Sequence, residues 1–440
     1  MEIGGRQGSR VTGRMFAKLM DLLAEEIIAS NYGVKMIEDF IIGILLWIDD
    51  VVSCVEGTDN LKIMLDTIDQ FAKRHKLKWG QDKCKIMRIG GGPEQEKWNL
   101  GEMEIGTCDT YTYLGDIITS DGKNTKNIQS RKNKITISSA SINTIASSEV
   151  LSRIESFVLL DLHEKVNIPS LLSNAESWTL LKSEETEIER AEIQCIKSLF
   201  DLPLRTPTPA ILYTFGIPYT NSRIDQKKII YLHKLLLRDS SHWTSKSLNV
   251  LEKLNIGWYK GICQTLTKYN LPNDFSHIKH KTSNEWRHMV RKSIEDQNKI
   301  RLINECHKQS EGKTIVKTKT AHIVDKLKDP AYIRQPTQEL KHLSKQETKT
   351  IIIARFGMLE CGTNFKGTLN EVCSTCCCLD NEEHRLNVCP KYNFNFRNSS
   401  EQISFETIFS PDINRIRSIL PRIATIWNVK TGHGSMSLPT

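Results

Sequence analysis

The stretch "ILLWIDDVVSC" at 44–54 constrains the chain most, because it sets Asp49 and Asp50 side by side inside an apolar run. A buried, unpaired carboxylate is costly, and two adjacent ones also repel. The flanking runs "IIGILLWI" and "VVSCV" are short and β-rich. They predict an antiparallel hairpin over 40–55 with both carboxylates at or near its tip. At a sheet edge the pair can bind a hard divalent cation such as Mg2+, which takes carboxylate and phosphate oxygens. Two such ions clamp the attacking and leaving oxygens in phosphoryl transfer of the polymerase type. Turns favour Asp on their own account, so the dipeptide alone also fits an ordinary hairpin turn.

The surroundings have their own periodicities. Residues 11–30 place Phe16, Leu19, Leu23 and Ile27 at helical spacing. Thr58 or Asp59 is expected to cap a second helix, with Leu61, Leu65, Ile68 and Phe71 on one face. "CKIMRIG" at 84–90 and "TYTYLGDII" at 110–118 read as strands. Beyond 120 the pattern is mostly helical. "SEETEIERAEIQCIKSLFDL" starts at a Ser cap with acids in its first turn, where the helix dipole favours them, and "RIDQKKIIYLHKLLLRD" is amphipathic. From about 240 to 345 the sequence turns polar and lysine-rich, which suits a solvated helical connector or a poorly ordered one. A compact unit resumes at "LSKQETKTIIIARFG" and ends near Tyr392, and the last 48 residues carry no legible signal.

Four motifs stand in order. Arg6-Gln7-Gly8-Ser9 leads into a helix, Trp47-Ile48-Asp49-Asp50 forms the hairpin, Lys83 lies in a loop before a strand, and Tyr113-Leu114-Gly115 follows. Together they resemble the reverse transcriptases of non-LTR retrotransposons, and 175–218 resembles the thumb-side region of those proteins. The resemblance covers most of residues 1–395. It implies an RNA-directed DNA polymerase, a nucleotidyltransferase that adds deoxynucleotides to a DNA primer on an RNA template. Asp49 and Asp50 would be its Mg2+ ligands. Lys83 would assist the pyrophosphate leaving group by charge or by donating a proton. Arg6, Gln7, Gly8, Ser9 and Trp47 would meet nucleotide and template, and Tyr113, Leu114 and Gly115 would form the primer grip. Gly8 lets backbone approach a nucleotide closely, while Arg6 and Gln7 can bond phosphates and bases.

The chain also departs from that family. It has Arg10-Val11-Thr12-Gly13 where Pro-Leu-Ser-Pro is usual, Gly80 in place of Asn, and Cys84 in place of Thr. The family's third metal-binding aspartate lies on a strand upstream of the Arg-Gln-Gly-Ser segment, and only "MEIGG" precedes Arg6. The chain is therefore expected to be the C-terminal part of a longer polymerase, inactive by itself. The alternative is a catalytically inactive remnant acting only as a zinc-containing nucleic-acid-binding protein.

Twelve cysteines raise the question of disulfides, but five of them (Cys373, Cys376, Cys377, Cys378 and Cys389) fall within 17 residues. That clustering suits a reducing compartment and one metal site. "CSTCCCLDNEEHRLNVC" spaces Cys373, Cys376, His384 and Cys389 as C-x2-C-x7-H-x4-C, a closed tetrahedral zinc pattern. Cys377 and Cys378 leave the second ligand open, and Cys376 is taken because x2 suits a knuckle. The plain alternative is a cysteine-rich loop without metal. The net charge of +8 is mild and permits a polyanion partner without demanding one. The longest apolar run has nine residues, against about 20 for a membrane helix, so no membrane partner is expected. An intracellular, nuclear location is expected.

The expected fold class is α+β: a truncated polymerase palm of antiparallel strands and helices, then a mostly helical thumb and connector, then a small zinc knuckle. The expected divisions are a partial palm at 1–118, a thumb-like region at 119–245, a basic helical connector at 246–345, a zinc-knuckle module at 346–400 and a tail at 401–440.

Overall fold

The computed structural model describes residues 10–37, 40–90, 97–146, 154–310, 338–359, 361–364, 369–393, 402–410 and 412–431. The chain is α+β and mostly helical. It divides into two compact units. The first is drawn from Met1–Gln129, Ser177–Leu180 and Tyr231–Gln264, the second from Ser130–Glu176, Leu181–Ile230 and Thr265–Thr440.

In the first unit, α1 (Arg10–Ser30) buries Met20, Leu23 and Ile27, one stripe of a 3.6-residue repeat. Helix α2 (Thr58–His75) turns Met64, Leu65, Ile68 and Phe71 onto the same core, as its spacing predicts. Its N-cap is Gly57, with no side-chain cap bond, rather than Thr58 or Asp59. Trp98, Leu100 and Ile105 complete this core. Burying each large side chain contributes roughly 1.5–3 kcal/mol.

Among the described residues, the strands of this unit form four small sheets. β1 (Val34–Ile37) pairs with β2 (Phe40–Ile42), and β3 (Ile44–Trp47) with β4 (Asp50–Ser53). β5 (Lys85–Ile86) runs parallel to β7 (Met103–Thr107), which also pairs antiparallel with β6 (Trp98–Leu100). The stretch "TYTYLGDII" is two strands, not one. β8 (Thr110–Tyr113) turns at Leu114 and Gly115, whose φ values are +47° and +87°, and returns as β9 (Asp116–Thr119). Positive φ at both central residues matches the right-handed twist of a tight hairpin.

The second unit is a helical assembly around one large core. Helix α3 (Thr125–Ala146) leads into it from the first unit. The helix Lys182–Leu199 begins before the expected Ser cap: its N-cap is Leu181, whose N–H donates to the Glu184 carboxylate at 2.9 Å. The lysine-rich stretch after 240 is structured in good part. Helix Ser283–Ser310 buries Trp286, Val290 and Ile294, and the Trp286 indole donates to the Ile229 carbonyl at 3.2 Å. Helix Lys345–Arg355 opens with a reciprocal cap. The Glu347 N–H donates to Ser344 Oγ at 3.3 Å, and the Ser344 N–H to the Glu347 carboxylate at 2.7 Å. Ile351, Ile352 and Ile353 are all buried, so the C-terminal half of this helix is enclosed, while Gln346 in its first turn is exposed. The 401–440 stretch, expected as a tail, contains the helix Ile413–Thr431, which packs on Lys345–Arg355. Its Ile416, Ile419, Ile423 and Ile426 share a core with Cys373, Leu386 and Cys389.

Among the described residues, no helix is long and apolar enough to cross a membrane.

Candidate metal centre and aspartate hairpin

A narrow bridge, Val372 to Leu379, closes the loop that carries the first two cysteines of the cluster. Within it the Cys373 N–H donates to the Cys378 carbonyl at 2.8 Å, and the Cys377 N–H to the Cys373 carbonyl at 2.9 Å. Cys377 takes the left-handed conformation (φ +52°) and points its exposed thiol away. The knuckle is thus set by backbone bonding, which leaves Cys373 and Cys376 to converge. His384 begins a wide helical turn, His384–Val388, with its N–H held by Asn381 Oδ1 at 2.7 Å. The Cys389 N–H closes that turn on the His384 carbonyl at 2.7 Å.

These elements bring one ligand atom each from Cys373, Cys376, His384 and Cys389 within 4.8 Å of one another. Cys389 Sγ lies 3.8 Å from the Sγ of both Cys373 and Cys376. A tetrahedral zinc with bonds of about 2.3 Å to thiolate sulfur requires sulfur–sulfur edges of about 3.8 Å. Two of the three sulfur pairs therefore already stand at the separation such an ion imposes, and the cluster can hold a metal ion such as zinc. Of the cysteines the sequence leaves open for the second position, the structure brings Cys376 into the cluster. Cys378 is exposed, with Sγ 3.3 Å from His384 Nδ1 at the edge of the cluster.

The electrostatics favour a cation. Burial pushes the Cys373 thiol up, but a hydrogen bond with His384 and the N–H groups of Thr375 and Cys376 outweigh it and bring the thiol down to about 6. Burial and the neighbouring Cys389 and Cys373 sulfurs push Cys376 up to about 12. Crowded sulfurs that cannot all ionise alone can do so around a divalent cation.

Behind the ligands is a buried polar frame. Arg385 Nε donates to Asp380 Oδ1 at 2.6 Å, and the Gly362 N–H donates to Asp380 Oδ2 at 2.9 Å. Burial opposes ionisation of Asp380, yet these donors hold its carboxyl below the usual range. Arg422, from the helix Ile413–Thr431, donates to the Leu386 carbonyl at 2.7 Å. Asn393 donates to the carbonyls of Arg385 and Cys389 at 2.9 and 3.1 Å.

The aspartate hairpin is present but shorter than the expected 40–55: Phe40–Ile42 pairs instead with Val34–Ile37, because Gly43 separates it from β3. β3 and β4 pair Ile44 with Ser53 through to Trp47 with Asp50, leaving Ile48 and Asp49 as the turn. Both carboxylates are exposed, so neither bears a burial cost. Trp47 is 61% exposed beside them. Lys83 ends a short 3-10 turn, Gln81–Lys83, immediately before β5, and it is exposed.

β8 approaches both features. The Tyr111 hydroxyl donates to the Lys83 carbonyl at 3.1 Å. Burial pushes the phenols of Tyr111 and Tyr113 up, and the Asp50 charge raises both further. The first unit therefore gathers Asp50, the Lys83 turn and the Tyr113-Leu114-Gly115 turn into one neighbourhood. Tyr111 was not singled out from sequence, although strand alternation in "TYTY" places it on the same face as Tyr113.

Arg6, Gln7, Gly8 and Ser9 lie outside the described residues. Among the described residues, no third carboxylate, His or Cys joins Asp49 and Asp50 in a metal-holding group. Compared with protein-family models and with curated proteins, the sequence matches none.

Proposed function

We propose that this chain binds nucleic acid as a protein of the non-LTR reverse-transcriptase kind, with an RNA template and a DNA primer as its partners and a structural zinc in the Cys373, Cys376, His384 and Cys389 cluster. The observation that carries the reading is the gathering of Asp50, the Lys83 turn, Tyr111 and Tyr113. Three motifs separated in sequence meet in one place, as a palm and its primer grip require. On this reading the exposed Trp47 packs under a primer end, and Lys83 faces the departing pyrophosphate.

Mg2+ would be held by Asp49 and Asp50. A two-ion centre for phosphoryl transfer needs more donors than two adjacent carboxylates supply, and the described residues add none. No catalytic step is therefore assigned. That same observation favours the second reading, a protein that binds template and primer without extending them.

The test is anisotropy with a labelled DNA primer annealed to an RNA template, run with and without Mg2+ and followed by an extension assay. Salt-sensitive binding without extension is expected. Failure to bind the primer–template would remove the proposal. Extension abolished by Asp49→Ala would restore the catalytic form of it.

A further inference from the structure

A groove of about 660 Å3 opens in the second unit, walled by the helices Lys182–Leu199 and Ser283–Ser310 and by residues 204–209. Its volume falls in the range of about 300–1,000 Å3 typical of small-ligand clefts. Ile193, Leu204 and Pro209 supply apolar surface, and Leu204 is 82% exposed. Around that surface stand four cations, Arg190, Lys197, Arg301 and Lys308, and two carboxylates, Glu189 and Glu305.

The two carboxylates are already committed. Arg301 donates to Glu189 at 3.0 Å and to Glu305 at 2.9 Å, and its guanidinium lies 3.7 Å over the Tyr219 ring. The Tyr219 hydroxyl donates to Glu305 at 2.9 Å. Burial also pushes the Glu189 carboxyl up, towards its neutral form. Lys197 gives one of its three N–H groups to the Leu204 carbonyl at 2.6 Å, which fixes the ammonium at the groove wall with donors to spare. Arg190 and Lys308 are exposed, and among the described residues neither has a carboxylate partner. Residues 190, 194 and 197 recur at one face of the helix, so Arg190, Gln194 and Lys197 present their polar ends together.

We propose that this groove is a phosphate-binding site, in which Arg190, Lys197 and Lys308 take the oxygens and the Leu204 surface takes the apolar part of the ligand. The same chemistry fits the backbone of single-stranded nucleic acid or a free nucleotide. The first source rests on the nucleic-acid reading above, and the second does not.

The test uses the full chain and two probes, a labelled single-stranded 20-nucleotide RNA followed by anisotropy and ATP followed by calorimetry. The variant is Arg190→Ala with Lys308→Ala, both exposed, so the fold should be retained and is checked by circular dichroism. Lys253→Ala with Lys279→Ala removes the same charge elsewhere and serves as the control. Each phosphate contact on a single strand contributes about 0.7 to the log–log salt slope. The groove variant should therefore lose about 1.4 from that slope and roughly 25-fold in RNA affinity at 0.1 M salt. The control should lose far less. RNA binding equally strong in wild type and groove variant, with ATP binding likewise unchanged or absent in both, would overturn the groove and leave the nucleic-acid reading standing. ATP bound by wild type and lost in the groove variant, with no RNA bound by either, would keep the groove and remove that reading. A wild-type chain that bound neither probe would overturn both.

Discussion

Cys389 is the ligand whose loss should matter most. Its thiol is fully buried and lies 3.8 Å from the sulfurs of both Cys373 and Cys376. Replacing an outer-shell partner of a metal ligand typically costs about 10–100-fold in affinity. Removing a ligand that touches two others should exceed the upper figure, which is more than about 2.8 kcal/mol. The ceiling is the whole contribution of structural zinc, roughly 10–16 kcal/mol in finger peptides. Cys376→Ser should be milder, below about 10-fold in affinity against the same outer-shell scale, because Cys378 Sγ already lies 3.3 Å from His384 Nδ1 and can take the vacant corner. Cys376→Ser combined with Cys378→Ser should then match Cys389→Ser. The assay is zinc content of the full chain purified under reducing conditions, with competition against a chromophoric chelator. A folded wild-type chain without zinc would refute the ligand assignment. Equal losses for Cys376→Ser and Cys389→Ser would refute the substitution by Cys378 and leave the site itself intact.

Arg385→Ala should leave the buried Asp380 without its main partner. Breaking such a pair costs about 3–5 kcal/mol, and zinc affinity should fall about 10–100-fold because the turn behind His384 loosens. Denaturant titration and chelator competition read the two effects. Glu192, fully buried, is another paired acid. Burial opposes its ionisation, but hydrogen bonds and charge from His163, Arg223 and Thr220 hold its carboxyl below the ordinary glutamate value. Its stabilisation is therefore complete above about pH 4.3 and is lost as pH falls through its lower folded value. Acid unfolding should be less steep in Glu192→Gln than in wild type. Tyr111→Phe removes the bond to the Lys83 carbonyl and should cost about 0.5–1.5 kcal/mol locally, read as faster amide exchange around Gln81–Lys83. RNA-templated DNA synthesis by the chain should be undetectable in a primer-extension assay, and Asp49→Ala should change nothing in that assay.

Short-range chemistry was the legible part of this sequence. The aspartate hairpin follows from two apolar runs with a polar pair between them, and β3 and β4 pair as that pattern demands. The metal cluster follows from ligand spacing, because a knuckle's backbone leaves few ways to place Cys373, Cys376, His384 and Cys389. Long-range packing was hidden. Ile416, Ile419, Leu420, Ile423 and Ile426 form a clear helical stripe, but Pro421 interrupts it and a proline inside a helix normally argues against one. Trp286, Val290 and Ile294 recur every four residues in a stretch whose lysines and glutamates dominate any local average. The turn at Leu114-Gly115 was missed because "TYTYLGDII" keeps its β character through the bend, and only Gly115 marks the break. The groove was beyond sequence altogether, since its walls come from segments about a hundred residues apart.

One position in the hairpin joins local strain to site geometry. Ile48 adopts φ +57°. Side chains branched at Cβ rarely accept that left-handed region, at a cost of roughly 1–2 kcal/mol. Ile48 is 49% exposed, so core burial gives little back. The strain persists because four consecutive residue pairs, from Ile44–Ser53 to Trp47–Asp50, fix the register on either side. A two-residue turn must then reverse the chain whatever occupies it. Asn or Gly at 48 would relieve the strain and make a more stable hairpin. The tip as it stands gives up that stability and displays an exposed Trp47, an exposed Ile48 and two adjacent carboxylates within four residues. On the reading proposed above, this tip would meet a ligand with a flat apolar face and cations at its edge, as a base-paired primer end with its counterions would be.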